Sequence, residues 1–251
     1  MYYISKINDE FVLDGLIKEE FWNNIESVKR LIQAEPKFGE EPSERTDIKL
    51  CYDDDFLYVA VLLHSNNKVS YKKGDYDDFI GTFDSNSDYF IFELDSYHDH
   101  ETSYGFAVNS SGVKADYMIY DDEFIDDDWN ATWFAAINNN PSGWSIEYKI
   151  PFNILRYSMK SNEIWGINFV RYIKAKNEYI SWVVLPEDKV GIVSHYGHLY
   201  GLQINQRKSL QLNSHGIYGD SYYDDQYYDY LYNDSFNVIG LNFNDNQEIF
   251  K

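Results

Sequence analysis

At 251 residues, the chain is long enough for one sizeable domain with its own apolar core and a further extension. It carries 42 Asp and Glu against 21 Lys and Arg, a formal charge of −21. Such a surface repels phosphate backbones, which argues against nucleic acid and anionic membrane as partners. Aromatic residues are abundant, with 24 Tyr, 16 Phe and 6 Trp, a supply that suits β-strands and stacking on flat ligand faces. The single Cys51 lies in an apolar run and reads as a small buried hydrophobe. No stretch approaches about 20 apolar residues, the length of a spanning helix. Residues Met1 to Lys6 lack the apolar segment of a signal peptide.

In chain order, Phe11 to Asp14 reads as a short strand closed by the Asp14-Gly15 turn, and Lys18 to Asn24 as a short helix carrying Phe21 and Trp22. Residues 31–45, with Pro36, Gly39 and Pro42, read as loop. Ile48, Leu50 and Tyr52 alternate, Asp53 to Asp55 turn, and Leu57, Val59, Val61 and Leu63 alternate again, which predicts a hairpin. Residues 65–87 are polar and irregular, with a helical possibility over Tyr71 to Phe79.

Phe90, Phe92 and Leu94 then mark one face of a strand, Tyr104, Phe106 and Val108 a second, and Val113 to Tyr120 a third after the turn at Asn109 to Gly112. The acidic stretch Asp121 to Asp128 leads to Trp129 and Trp133. Asn140-Pro141-Ser142-Gly143 is a turn, after which Trp144, Ile146, Tyr148 and Ile150 share one face of an extended segment. Pro151 ends it, because proline cannot donate to a ladder, and opens a short helical turn. Trp165 to Ile173, Tyr179 to Leu185 and Gly197 to Ile204 complete the strands. Around ten short strands with turn signals, and no long helical period, predict an all-β fold: an antiparallel β-sandwich, jelly-roll-like, with short helical turns. The tail, 209–251, holds seven tyrosines between Tyr218 and Tyr232 interleaved with aspartates, and reads as an irregular acidic extension.

The segments GWSIEYKIPFNILRY, WGINFVRYI and NEYISWVVLP resemble the second half of a family 9-like carbohydrate-binding domain. The version they resemble stands ahead of an outer-membrane barrel in bacterial proteins of unknown function. Upstream, LDGLIKEEFW, YDDDFLYVAVLLH, DSYHDHETSYGFAVNSSGVKAD and WNATW fit the same pattern in order, so that the likeness spans residues 8 to 204. The resemblance implies a sandwich over residues 8–208 that binds an oligo- or polysaccharide without catalysis, stabilised by calcium and working outside the cytoplasm, in the periplasm or at the cell surface. It further implies an outer-membrane partner, with 209–251 a remnant of a following barrel. An alternative from a different class is a structural or gating domain of a cell-surface system that has no sugar site. A haem domain is a third, with little support from Met1, Met118 and Met159 as axial ligands.

Three sets of residues are candidates for chemistry. Asp116, Asp121, Asp122, Asp126 and Asp128 belong to a run of seven carboxylates in 13 residues, which a calcium ion would relieve and water would equally solvate. Trp129 and Trp133 stand beside that run and are candidates for stacking on a sugar face. Glu147, Arg171 and Glu178 supply donors and acceptors that either meet sugar hydroxyls or pair across strands for about 0.2–1 kcal/mol each. His98 and His100 sit two residues apart, but a polar turn accounts for them better than a zinc site lacking further ligands. No hydrolase or phosphate-loop motif is present.

Overall fold

The computed structural model describes residues 1–66, 69, 87–157, 164–184 and 189–204. The acidic tail and the helical possibility over Tyr71 to Phe79 lie outside these residues.

Two sheets face each other. The first has nine strands: β1 (Tyr2–Tyr3), β3 (Ile32–Glu35), β6 (Tyr89–Asp95), β7 (Ser103–Asn109), β8 (Lys114–Tyr120), β9 (Phe124–Asp126), β12 (Trp165–Ile173), β13 (Glu178–Ser181) and β14 (Gly197–Tyr200). Its path runs β1-β14-β12-β6-β7-β8-β9, and β3 joins through β13. The second has five: β2 (Ser5–Lys6), β4 (Thr46–Tyr52), β5 (Phe56–His64), β10 (Phe134–Asn140) and β11 (Gly143–Pro151), in the order β10-β11-β5-β4-β2. All pairings are antiparallel except β1 with β14 and β2 with β4. This is the all-β sandwich that the alternation predicts.

The core between the sheets follows from the period of two. Leu57, Val59, Val61 and Leu63 of β5 lie opposite Ile150, Tyr148, Ile146 and Trp144 of β11, all at 0% exposure. They meet Phe90, Phe92 and Leu94 of β6, Phe106 and Val108 of β7, and Trp165, Ile167 and Phe169 of β12. Burying each such side chain contributes roughly 1.5–3 kcal/mol. The β10–β11 turn needs glycine at its end: Gly143 has φ +134°, and a Cβ there would stand 2.0 Å from the Leu63 carbonyl oxygen.

Both sheets are also covered on their outer faces. Over the five-stranded sheet lie Ile7, Trp22 and Ile25, packed on Cys51, Tyr58 and Ala60. Phe11 joins them, its ring 4.3 Å from that of Tyr58. Residues 11–14 are therefore not a strand, as expected from their pattern, but an irregular strap over the sheet. The helical turn at Glu20–Asn24 is 3₁₀. Conversely, Ile32–Glu35 is a strand although Pro36 and Gly39 mark it as loop, because β13 offers it an edge to pair with. Residues 2–6, ahead of the sandwich start expected at residue 8, contribute a short strand to each sheet.

Candidate functional site

The outer face of the nine-stranded sheet carries a hollow of about 400 Å³, within the range of small-ligand sites. Its floor is built from alternate positions of strands whose other positions form the core. On β6, Phe92 and Leu94 point inward, so Glu93 points out; on β12, Ile167 and Phe169 point inward, so Asn168 points out. Glu93 and Asn168 are register partners, and Asn168 Nδ2 donates to Glu93 Oε2 at 3.1 Å. Across β7, Glu93 is opposite Gly105, which is opposite Tyr117. The absent side chain lets the Tyr117 ring lie over β7; a Cβ on Gly105 would be 2.2 Å from Tyr117 Cζ. Tyr117 OH thereby donates to Glu93 Oε1 at 2.7 Å.

The walls come from β3, β13 and the chain after it. Ala34, Glu35, Val170, Tyr179, Ser181, Val183, Val184, Ile192 and Tyr196 line the hollow with the two floor residues. Ser181 Oγ and Val183 N both donate to Asn168 Oδ1, at 3.1 and 3.0 Å, which fixes the amide's orientation. Burial pushes the Glu93 carboxyl above the usual carboxylate range, and hydrogen bonds from Tyr117, Asn168 and Tyr196 oppose that rise. The aromatic rings facing the hollow are tyrosines: Tyr196, largely buried, and Tyr179, half-buried with its ring centroid 4.6 Å from that of Tyr172.

The residues singled out from the sequence lie elsewhere. Trp133 is 2% exposed; its indole Nε1 donates to Asp116 Oδ2 at 3.0 Å, and its ring lies parallel to Tyr148 at 5.8 Å. It is a core residue and turns no open face to a ligand. Trp129 is half-buried against Tyr104 and Phe106. Arg171 points into the sandwich, where it donates to the Arg45 and His64 carbonyls and the Thr46 hydroxyl at 2.6–2.9 Å. Glu178 accepts from the Ser43 backbone N–H at 2.9 Å and from the Ser43 hydroxyl. The last two are close enough to interact electrostatically, but neither lines the hollow.

Glu147 lies on the opposite sheet, under the strap. Its Oε2 accepts from the Asp14 and Gly15 N–H groups at 3.0 and 2.8 Å, while its buried Oε1 has no hydrogen-bond partner. Burial pushes its carboxyl up to about 7, against those two hydrogen bonds. The folded protein then holds a proton that the unfolded chain releases near 4.3, so this group's stabilisation is complete at low pH and lost as pH rises through 7. The shift corresponds to roughly 3 kcal/mol. Glu147→Gln is therefore expected to gain on the wild type between pH 5 and pH 8, as read by urea unfolding at both. An unchanged difference would mean that Glu147 is ionised throughout.

The acidic candidates for calcium occupy separate places. Asp116 is buried and accepts from Ala131 N and Trp133 Nε1. Asp122 holds the 192–194 turn, accepting from Ile192 N, Ser194 N and the Ser194 hydroxyl. Asp126 accepts from Asp128 N, and Asp121 sits at φ +49° in the β8–β9 turn. Among the described residues, no three His, Cys, Asp or Glu side chains converge as a metal requires. The same holds for His98 and His100, although His198 joins them with its ring 5.1 Å from His98.

No family model matches the chain, and no curated protein does. Solved structures do. A family 9 carbohydrate-binding module from Caldicellulosiruptor kristjanssonii in complex with glucose superposes with a TM-score of 0.58 at 17% identity, covering 82% of this chain and 97% of that one. The fold resembles that of family 9 carbohydrate-binding modules. A structure of a family 9 module from the same organism with cellotriose gives 0.57 at 16%, covering 84% and 98%. A proposed carbohydrate-binding protein from Bacteroides uniformis gives 0.57 at 11%, covering 79% and 97%. The family 9-like architecture expected from the ordered motifs is thus the architecture observed.

Proposed function

We propose that this family 9-like sandwich is a non-catalytic carbohydrate-binding domain, and that it holds its sugar in the hollow on the outer face of the nine-stranded sheet. The observation that carries the reading is the hollow itself. It has a pre-ordered floor of Glu93 and Asn168, in which each polar group is oriented by a neighbour, below apolar and tyrosine walls. A sugar presents hydroxyls for such a floor and C–H faces for a ring such as Tyr179. That the similar modules were solved with glucose and cellotriose supports the choice of ligand class. A module of this kind works where polysaccharide is, outside the cytoplasm. Among the described residues, no helix is long and apolar enough to cross a membrane.

Titration calorimetry with glucose and cellotriose tests the reading. One saturable site is expected, and Tyr179→Ala is expected to weaken it at least tenfold with the melting temperature nearly unchanged. Binding that survives Tyr179→Ala and is lost in Trp129→Ala would move the site to the acidic edge of the sandwich. Absence of binding to either sugar and to a broad glycan array would favour a structural domain.

A further inference from the structure

The hollow is electrically one-sided. Among the described residues it is lined by two carboxylates, Glu93 on the floor and Glu35 at the rim, and by no Lys, Arg or His. Glu93 is 6% exposed. Its hydrogen-bond donors are the neutral groups of Tyr117, Asn168 and Tyr196. Among the described residues, no ion pair involves Glu93 or Glu35. A buried carboxylate is ordinarily matched by a cation, because neutral donors replace only part of its lost hydration. The raised titration of Glu93 is the mark of that shortfall. A carboxylate offers about four acceptor directions, so the donors already present leave room for one more. The chain's formal charge of −21 adds a long-range bias toward cations and against anions.

We propose that the hollow selects sugars bearing a protonated amine, with a free-amino hexosamine preferred to a neutral hexose and a uronic acid rejected. Glu93 is the counter-ion in the floor, and Glu35 adds to the field at the mouth. The inference rests on the hollow being the sugar site.

The test is a calorimetric titration of the whole chain near neutral pH with glucosamine, glucose, N-acetylglucosamine and glucuronate. Glucosamine is expected to bind at least tenfold more tightly than glucose or N-acetylglucosamine, and glucuronate most weakly. Glu93→Gln is expected to bring the glucosamine-to-glucose affinity ratio close to one, whatever it does to either affinity. Should that variant not fold, Glu35→Gln at the exposed rim is expected to narrow the ratio, and the wild-type ratio decides by itself. Glucose binding with no preference for the amine, or glucuronate binding as tight as glucose, overturns the charge selection and leaves the sugar site standing. No binding of any of the four overturns both.

Discussion

Trp133→Ala is expected to cost about 3–5 kcal/mol, the range for removing a large aromatic from a core. Four contacts are lost together. The ring is parallel to Tyr148 at 5.8 Å and meets Phe106 edge-on at 5.2 Å. Lys114 Nζ sits 4.5 Å above it and also donates to the Trp133 carbonyl. Its indole N–H serves the Asp116 carboxylate, which is 1% exposed. Trp133→Phe separates these effects, since it keeps much of the ring and removes the donor; a loss of roughly 1–3 kcal/mol is expected from the weakened satisfaction of Asp116. Equilibrium urea unfolding reads both. A stable Trp133→Ala variant with weakened sugar binding would instead make Trp133 a ligand contact.

Arg171→Met is expected to cost roughly 3 kcal/mol, although methionine fills a similar volume. The guanidinium draws together β12, the start of β4 and the end of β5 through the Arg45 carbonyl, the Thr46 hydroxyl and the His64 carbonyl. Its burial pulls its pKa down to about 10, and the charges of Asp88, Glu44 and Glu178 oppose that fall. These three carboxylates are themselves 2–3% exposed. Methionine would remove the positive charge that all three feel, while Glu44 keeps its pair with Lys176. Urea unfolding of the variant checks this, and a change under about 0.5 kcal/mol would show that the guanidinium does not hold the strands together.

The long strands were legible because each needs a buried face, and a buried face imposes alternation. Ile48 to Leu63 and Trp144 to Ile150 carry it openly. The two-residue strands β1 and β2 have no room for a pattern, and β3 owes its conformation to the edge of β13 rather than to its own residues. Tryptophan beside an acidic loop looked like a ligand contact, but Trp133 answers to a buried carboxylate, and only the fold reveals that Asp116 faces inward.

The hollow was hidden for a different reason. Glu93, Asn168, Tyr179 and Tyr196 are separate in sequence; the first three sit in runs that read as strand, and Tyr196 stands just ahead of one. A signal was nevertheless present. YFIFELD and WGINFVRYI are apolar on both faces, the mark of strands covered on both sides, and a lone Glu or Asn in such a run needs buried polar partners. Gly105, between Tyr104 and Phe106, carries a similar message: a glycine inside a strand marks a close approach, here by the Tyr117 ring.

The most direct test of the sugar site is a ¹H–¹⁵N spectrum of the assigned protein, titrated with cellotriose. The hollow predicts saturable shifts that cluster at Glu93, Asn168, Tyr179, Ser181 and Val183, with Trp129 and Trp133 unmoved. Shifts centred on residues 126–133, or none at saturating sugar, would contradict it.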